Sequence, residues 1–231
     1  MSDATLLERL RNRLATVEER IAAACLRAGR QRSEVTMVAV TKTVPIEVAA
    51  CLPELGVFDL AENRPQELWR KAPDLPKTVR WHMIGHLQRN KIERTLPLVH
   101  MIHSVDSLRL LEALDAEGRE LPVLLEVNTG GESSKGGFSA LEILAVGAKL
   151  RGLRHVRVRG LMTMAPLQEA EACRREFRLL HNIRENLRAT VEPPHTLEHL
   201  SMGMSNDFEV AIEEGATMVR LGTVLFEGIM S

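Results

Sequence analysis

Glu34-Val-Thr-Met-Val-Ala-Val-Thr-Lys-Thr-Val-Pro45 is the stretch whose reading decides the fold. Val35 to Val40 is almost wholly apolar and rich in valine. Such a run is a short strand buried on both faces, as in a parallel sheet covered by helices. It ends in Thr41-Lys42-Thr43, and Pro45 suits the first turn of a helix continuing through Ile46, Val48, Ala49 and Leu52. Lys42, at the mouth of the strand, admits two readings. It has simply reached solvent, which this stretch alone favours, or it is a desolvated amine, the form that attacks a carbonyl to make a Schiff base.

Outward from this unit the same pattern repeats. Upstream, Leu7, Leu10, Leu14, Val17, Ile21, Ala24 and Ala28 form one apolar stripe, predicting a helix from about Thr5 to Ala28. Thr5 with Glu8 can form a capping box, and Gly29 suits the stop. Downstream, strands are predicted at Val57–Ala61, Trp81–Ile84, Met101–His103, Val123–Val127, Val158–Met162, Leu197–Ser201 and Met218–Leu221. Helical stretches lie between them, including one opened by Ser104-Val-Asp-Ser107 and a long one from Gln168 to about Ala189. Eight strands in a βα rhythm, with no shift of composition between them, predict an α/β protein. The count favours a single (β/α)8 TIM barrel domain over 1–231, with an extra N-terminal helix, over an open doubly wound sheet.

Composition narrows the function classes. Thirty basic residues against 31 acidic ones, mixed along the chain, leave no footprint for nucleic acid or an anionic membrane. No apolar run approaches membrane-spanning length, and the N-terminus reads as an amphipathic helix rather than a signal peptide, so a cytoplasmic protein is expected. Cys25, Cys51 and Cys173 are widely spaced and odd in number, which fits reduced thiols. The chain contains no tyrosine.

A barrel places its chemistry at the C-terminal ends of its strands. Polar residues stand there: Lys42, Asn63, His82, Ser104, Asn128, Thr163, Ser201 with Ser205, and Arg220 with Thr223. Leu200-Ser-Met-Gly-Met-Ser205 reads as a tight turn with Ser205 as N-cap of a helix over Asn206–Ile212, and Arg220-Leu-Gly-Thr223 adds a second turn. Loops after strands seven and eight commonly hold phosphate in barrels, although Gly203 and Gly222 are equally explained as turn residues and Ser205 as a cap. Gly130–Gly137 lacks P-loop spacing and reads as a mobile surface loop. His82 and His86 are four apart, but a strand-to-turn break between them argues against a metal site.

Taken together, these motifs resemble the YggS/PROSC family of pyridoxal phosphate homeostasis proteins. The likeness runs through Val38-Ala-Val-Thr-Lys-Thr43, Glu62-Asn63 with Gln66-Glu67, Trp81-His82 with Ile84-Gly85, and Leu87-Gln88 with Asn90-Lys91. It continues through Asn128, Glu132, Lys135 and Gly136, Arg159-Gly-Leu-Met162, Leu200–Ser205, and Gly215 with Val219-Arg220, Gly222-Thr223 and Phe226. Ala61 and Glu227 stand where that family usually has glycine.

The resemblance implies a fold type III barrel like that of alanine racemase, without that enzyme's second domain, and hence a monomer. It implies pyridoxal 5′-phosphate as cofactor, held as a Schiff base on Lys42. Ser201, Ser205, Gly222 and Thr223 would surround the phosphate, Arg220 would face the pyridine nitrogen, and Asn63 and His82 would line the pocket. The implied role is balance of vitamin B6 and amino-acid pools without a settled reaction. Exchange with amino acids and delivery to cofactor-accepting apo-enzymes belong to that role. The competing readings are a cofactor-dependent amino-acid racemase and a barrel that uses Lys42 on another phosphorylated metabolite.

Overall fold

The valine-rich stretch forms β1 (Thr36–Val40) and pairs in parallel with β2 (Asp59–Glu62) on one side. On the other side it pairs with β8 (Met218–Leu221), Met37 lying opposite Val219 and Val38 opposite Arg220. That second pairing joins the two ends of the sheet. Between them run β3 (Arg80–Met83), β4 (Met101–Val105), β5 (Leu121–Glu126), β6 (Val156–Met162) and β7 (His199–Ser201), and all eight strands close into one barrel in chain order. The computed structural model describes residues 3–131, 136–166 and 168–229. Glu132 and Lys135, and with them the middle of the glycine-rich stretch, lie outside the described residues.

Helices cover the outside of the strands. They are α1 (Asp3–Arg27), α2 (Ile46–Glu54), α3 (Pro65–Lys71), α4 (Ile92–Thr95), α5 (Leu108–Ala116), α6 (Ala140–Leu150), α7 (Arg174–Arg188), α8 (Phe208–Glu213) and α9 (Thr223–Phe226). The expected stripe on α1 is real: Leu10, Val17, Ile21 and Ala24 are buried. Each of its larger apolar side chains is worth ~1.5–3 kcal/mol for leaving water. The stripe faces α8 and α9, so the first helix braces the last βα units. Arg20 reaches Glu209 at 2.6 Å and Arg27 reaches Glu213 at 2.7 Å along the same seam.

Two apolar regions result. Met37, Ala39, Leu60, Met83, Ile102, Leu125, Leu161 and Val219 belong to the large cluster that includes the buried helix residues. A smaller cluster of Val38, Val40, Ala61, Met101, Leu124, Met162 and Met218 is separate from it. Alternation along β1 assigns its residues to the two clusters in turn, as the period of two in a pleated strand demands.

Some boundaries differ from expectation for local reasons. β7 starts at His199 because Leu197 has φ 50°, a left-handed conformation that a branched side chain adopts at a cost and that no strand can include. Thr5 lies inside α1, which already runs from Asp3, and so is not its cap. Gly29, at φ 65°, does take the left-handed stop position. Ser104 belongs to β4, and Ser107 alone caps α5 by accepting from Leu110 N. The stretch from Gln168 opens with a 3-10 turn at Ala170–Cys173 before α7 begins.

Candidate functional site

Lys42 lies in the turn that follows β1, and its side chain is exposed. The burial expected from the apolar run stops at Thr41, which is fully buried. Among the described residues Lys42 has no hydrogen-bond or ion-pair partner, whereas the turn beneath it is tightly held. Val44 N donates to Thr41 O at 3.1 Å, and Thr41 N donates to Ala61 O on β2 at 3.0 Å. From below comes Lys71, at the end of α3 and fully buried. Its ammonium donates to Thr41 O at 2.7 Å, to Val44 O at 3.0 Å and to Glu62 Oε1 at 2.7 Å. Thr41 Oγ1 donates to the same Glu62 oxygen at 2.7 Å.

Asn63 follows directly on β2 and is half-buried. Its backbone is pressed on Gly85, where a Cβ would stand 2.2 Å from Asn63 O, so only glycine allows the two loops to meet.

At β8, Arg220 is 3% exposed. It donates through Nη1 to Ser201 O and Ser201 Oγ, both at 2.7 Å, and through Nη2 to Thr163 O at 2.8 Å. Three of the five N–H donors of a guanidinium are thus used inside the protein. Burial pulls Arg220 down to about 10, against the pull of Glu126 and Asp207, and it stays cationic at neutral pH.

Ser201 continues inward. Its hydroxyl lies 2.9 Å from His103 Nδ1, His103 Nε2 lies 2.9 Å from His82 Nδ1, and His82 Nε2 lies 3.0 Å from Asp59 Oδ1. Assigned from these partners, one direction gives every donor an acceptor: Arg220 to Ser201, Ser201 to His103, His103 to His82, and His82 to the Asp59 carboxylate. Burial holds His103 well below the ordinary histidine value, with the neighbouring His82 and Arg220 adding to the effect. Asp59 is held at about 2: burial opposes ionisation, but hydrogen bonds from His82 and Arg80 outweigh it. The structure thus spends His82 and Ser201, expected beside the cofactor, on this internal chain. Both are buried and committed to this chain, which supports Arg220 from behind. His86 departs in the other direction, exposed and 2.8 Å from Asp106 Oδ2, so the two histidines share no site.

The loop after β7 turns at Gly203, with φ 91°. A Cβ there would meet Ala211 Cβ at 2.6 Å and Phe208 Cα at 2.9 Å. The expected cap position moves to Asp207, whose carboxylate accepts from Met204 N in the preceding turn at 2.6 Å and makes no bond to α8. Ser205, freed from that task, accepts at Oγ from Gly222 N at 3.4 Å and Val224 N at 3.2 Å in the loop after β8. Gly222 in turn sits against the end of β1, where a Cβ would lie 3.3 Å from Val40 O. Since β7, β8, β1 and β2 are neighbours in the closed sheet, Ser205, Gly222, Thr223, Lys42 and Asn63 occupy one contiguous arc of the rim.

Lys71, Asp59 and His103 were not singled out from the sequence, and Glu62 only as part of the Glu62-Asn63 motif. For Lys71 a signal existed, because Pro65, Leu68 and Lys71 share the buried face of α3 at a spacing of three. A lysine on the apolar face of a helix is costly unless paired. Nothing local marks His103 as the partner of residue 201.

A barrel with this rim finds clear relatives. Residues 13–229 match the family model of the alanine racemase N-terminal domain. The pyridoxal phosphate homeostasis protein of Aquifex aeolicus is 42% identical over 220 residues, covering 93% of this chain and 96% of its own. The chain belongs to the pyridoxal phosphate homeostasis protein family. The Escherichia coli K12 member of the family is 36% identical over 222 residues, covering 92% of this chain and 94% of its own. Among solved structures, PipY of Synechococcus elongatus with PLP bound is 35% identical, with a TM-score of 0.78 over 91% of this chain and 99% of PipY. Alanine racemase of Corynebacterium glutamicum shares the fold alone, at 16% identity and a TM-score of 0.72 over 95% of this chain and 61% of that enzyme. Among the described residues no helix is long and apolar enough to cross a membrane.

Proposed function

We propose that this member of the family binds pyridoxal 5′-phosphate as a Schiff base on Lys42 and serves vitamin B6 and amino-acid homeostasis as a carrier or buffer of the cofactor, without turning over a substrate of its own. The observation that carries the reading is the convergence of three unlike groups at and beneath one arc of the barrel mouth. They are the exposed amine of Lys42, the Ser205–Gly222–Val224 cluster, and the buried cation of Arg220.

The donor set fits the cofactor. When bound, pyridoxal 5′-phosphate supplies an aldehyde carbon that condenses with an amine, with loss of one water. Lys42 is the amine. The hydroxyls of Ser205 and Thr223 suit a phosphate, as do the amides at Gly222 and Val224 once they turn to it from Ser205 Oγ, and Asn63 borders the same arc. Arg220 keeps the donors it does not spend on Ser201 and Thr163. A guanidinium cannot accept a proton, so a ring nitrogen facing it stays unprotonated. Ser201 and His82 act through Arg220 by holding it.

A carrier needs reversible attachment and grip, and both are supplied here. Racemisation needs proton transfer on both faces of a substrate Cα. Lys42 can serve one face; a tyrosine serves the other in alanine racemase, whose barrel this chain resembles, and this chain has none. His82 and His103 are buried in hydrogen bonds to each other, Asp59 and Ser201.

The test is titration of the purified chain with the cofactor, borohydride reduction and peptide mass analysis, followed by incubation of the loaded protein with L-alanine and other L-amino acids in deuterated water. Pyridoxyl mass on Lys42 with no accumulation of D-isomer is expected. A chain that takes up no cofactor would overturn the binding reading. Sustained D-isomer production abolished by Lys42→Ala would make the protein a racemase.

A further inference from the structure

The geometry points to Lys71 and Glu62 as positioning residues for Lys42: a buried ion pair that pins the turn carrying the reactive amine from beneath. This inference rests on the reading of Lys42 as the Schiff-base lysine.

Lys71 is among the largest fully buried side chains, and Glu62 is fully buried as well. The three acceptors around its nitrogen match the three N–H donors of an ammonium. Two of those acceptors are backbone carbonyls, Thr41 O and Val44 O, and they flank Lys42 and Thr43. A single cation thus grips both ends of the four-residue turn, which is also closed by the bond from Val44 N to Thr41 O. The third acceptor is Glu62 Oε1, which takes the Thr41 hydroxyl too and so ties the turn to the end of β2. The other Glu62 oxygen is buried with no partner among the described residues. The carboxylate is arranged to hold Lys71 and Thr41 together.

Stability alone does not call for this arrangement. A buried ion pair loses hydration at both ends, and apolar side chains of similar volume serve folding as well or better. The pair does fix where the Lys42 backbone lies relative to the rim. Lys42 has no partner of its own among the described residues, so the place of its nitrogen depends on its Cα and its rotamers. Rates of attack fall steeply when a nucleophile is displaced by even an ångström.

The double variant Lys71→Met/Glu62→Met removes both charges with little change of volume. Two ligands separate positioning from damage to the pocket: pyridoxal 5′-phosphate, read by its absorption change and by borohydride-fixed pyridoxyl on Lys42, and pyridoxine 5′-phosphate, which has the same ring and phosphate but no aldehyde. In the folded variant the attachment rate should fall on the order of tenfold or more, while binding of pyridoxine 5′-phosphate stays within about twofold. Hydrogen exchange at the Val44 amide should speed up before any ligand is added. Glu62→Gln, which keeps the shape and an acceptor oxygen, should slow attachment by a smaller factor and serves if the double variant does not fold.

An unchanged attachment rate in either folded variant overturns the inference. So does an equal loss for both ligands, and so does failure of both variants to fold, since each leaves Lys71 as a structural residue only. If the unaltered chain carries no fixed pyridoxyl on Lys42, the reading of Lys42 falls first and this inference with it. That result appears before any variant is made.

Discussion

On the β1–β2 side of the rim, the turn bearing Lys42 is anchored by charged side chains from below and leaves its own side chain exposed. On the β7–β8 side, anchoring comes from backbone amides, one hydroxyl and a glycine that nothing larger can replace. The difference suits the two roles proposed for these sides. An amine that forms and breaks a covalent bond must move at its tip, so rigidity is placed one layer beneath it. A phosphate grip works best when its donors are already aimed, and backbone N–H groups in a fixed turn lose little entropy on binding. Between the two sides lies the chain from Arg220 to Asp59, which spends the polar groups of the barrel interior on holding one guanidinium still.

The comparison breaks most completely at Lys42 itself. Lys42→Ala should abolish borohydride-fixed pyridoxyl while retaining weak cofactor binding, because the phosphate side is untouched. A fixed pyridoxyl in that variant would place the reactive amine elsewhere. Next in size is Gly203→Ala on the opposite side. With φ at 91° and Ala211 Cβ 2.6 Å from the added methyl, it should lower unfolding free energy by about 2–4 kcal/mol in urea titrations. Stability within 0.5 kcal/mol of the parent, a margin of ordinary surface substitutions, would show that this turn is softer than its packing implies.

The interior chain sharpens the comparison through pH. The folded protein holds His103 well below 6.5, whereas the unfolded chain takes a proton near that value. Below pH 6.5 the unfolded state binds more protons, so the stability is complete above that pH and is lost as pH falls beneath it. Buried His195 and half-buried His199, lowered chiefly by desolvation as well, act in the same direction. Unfolding free energy should drop by at least about 1 kcal/mol between pH 7.5 and 5.5, and His103→Gln should flatten the slope. Equal stability at the two pH values would deny the buried, neutral state of the chain.

The smallest expected effect is at Ser205. It does not cap α8, so Ser205→Ala should leave folding nearly intact. Losing its hydroxyl should weaken pyridoxal 5′-phosphate by about 1 kcal/mol, roughly fivefold, and leave pyridoxal, which lacks the phosphate, unchanged. Equal weakening of both in binding titrations would remove Ser205 from the phosphate side.

Much of this protein is legible from local pattern. Apolar runs of strand length, helical stripes and turn residues are properties of neighbouring positions, and they were enough for eight βα units, the helix ahead of β1, and the placing of Lys42, Ser205 and Thr223 at strand ends. Tertiary structure decided what those residues touch. His82 reads as a polar strand-end residue, yet it lies at the third position of β3 and is buried. His103 meets Ser201 across 98 residues, and Lys71 meets Thr41 across 30. Such pairs depend on the stagger between strands and on the closure of β1 against β8, which no local spacing encodes. The sequence by itself therefore determined that a lysine would stand at the mouth of a parallel barrel. Only the closed barrel decided that a second, buried lysine would hold it there, because partners inside a barrel are chosen by register across strands rather than by distance along the chain.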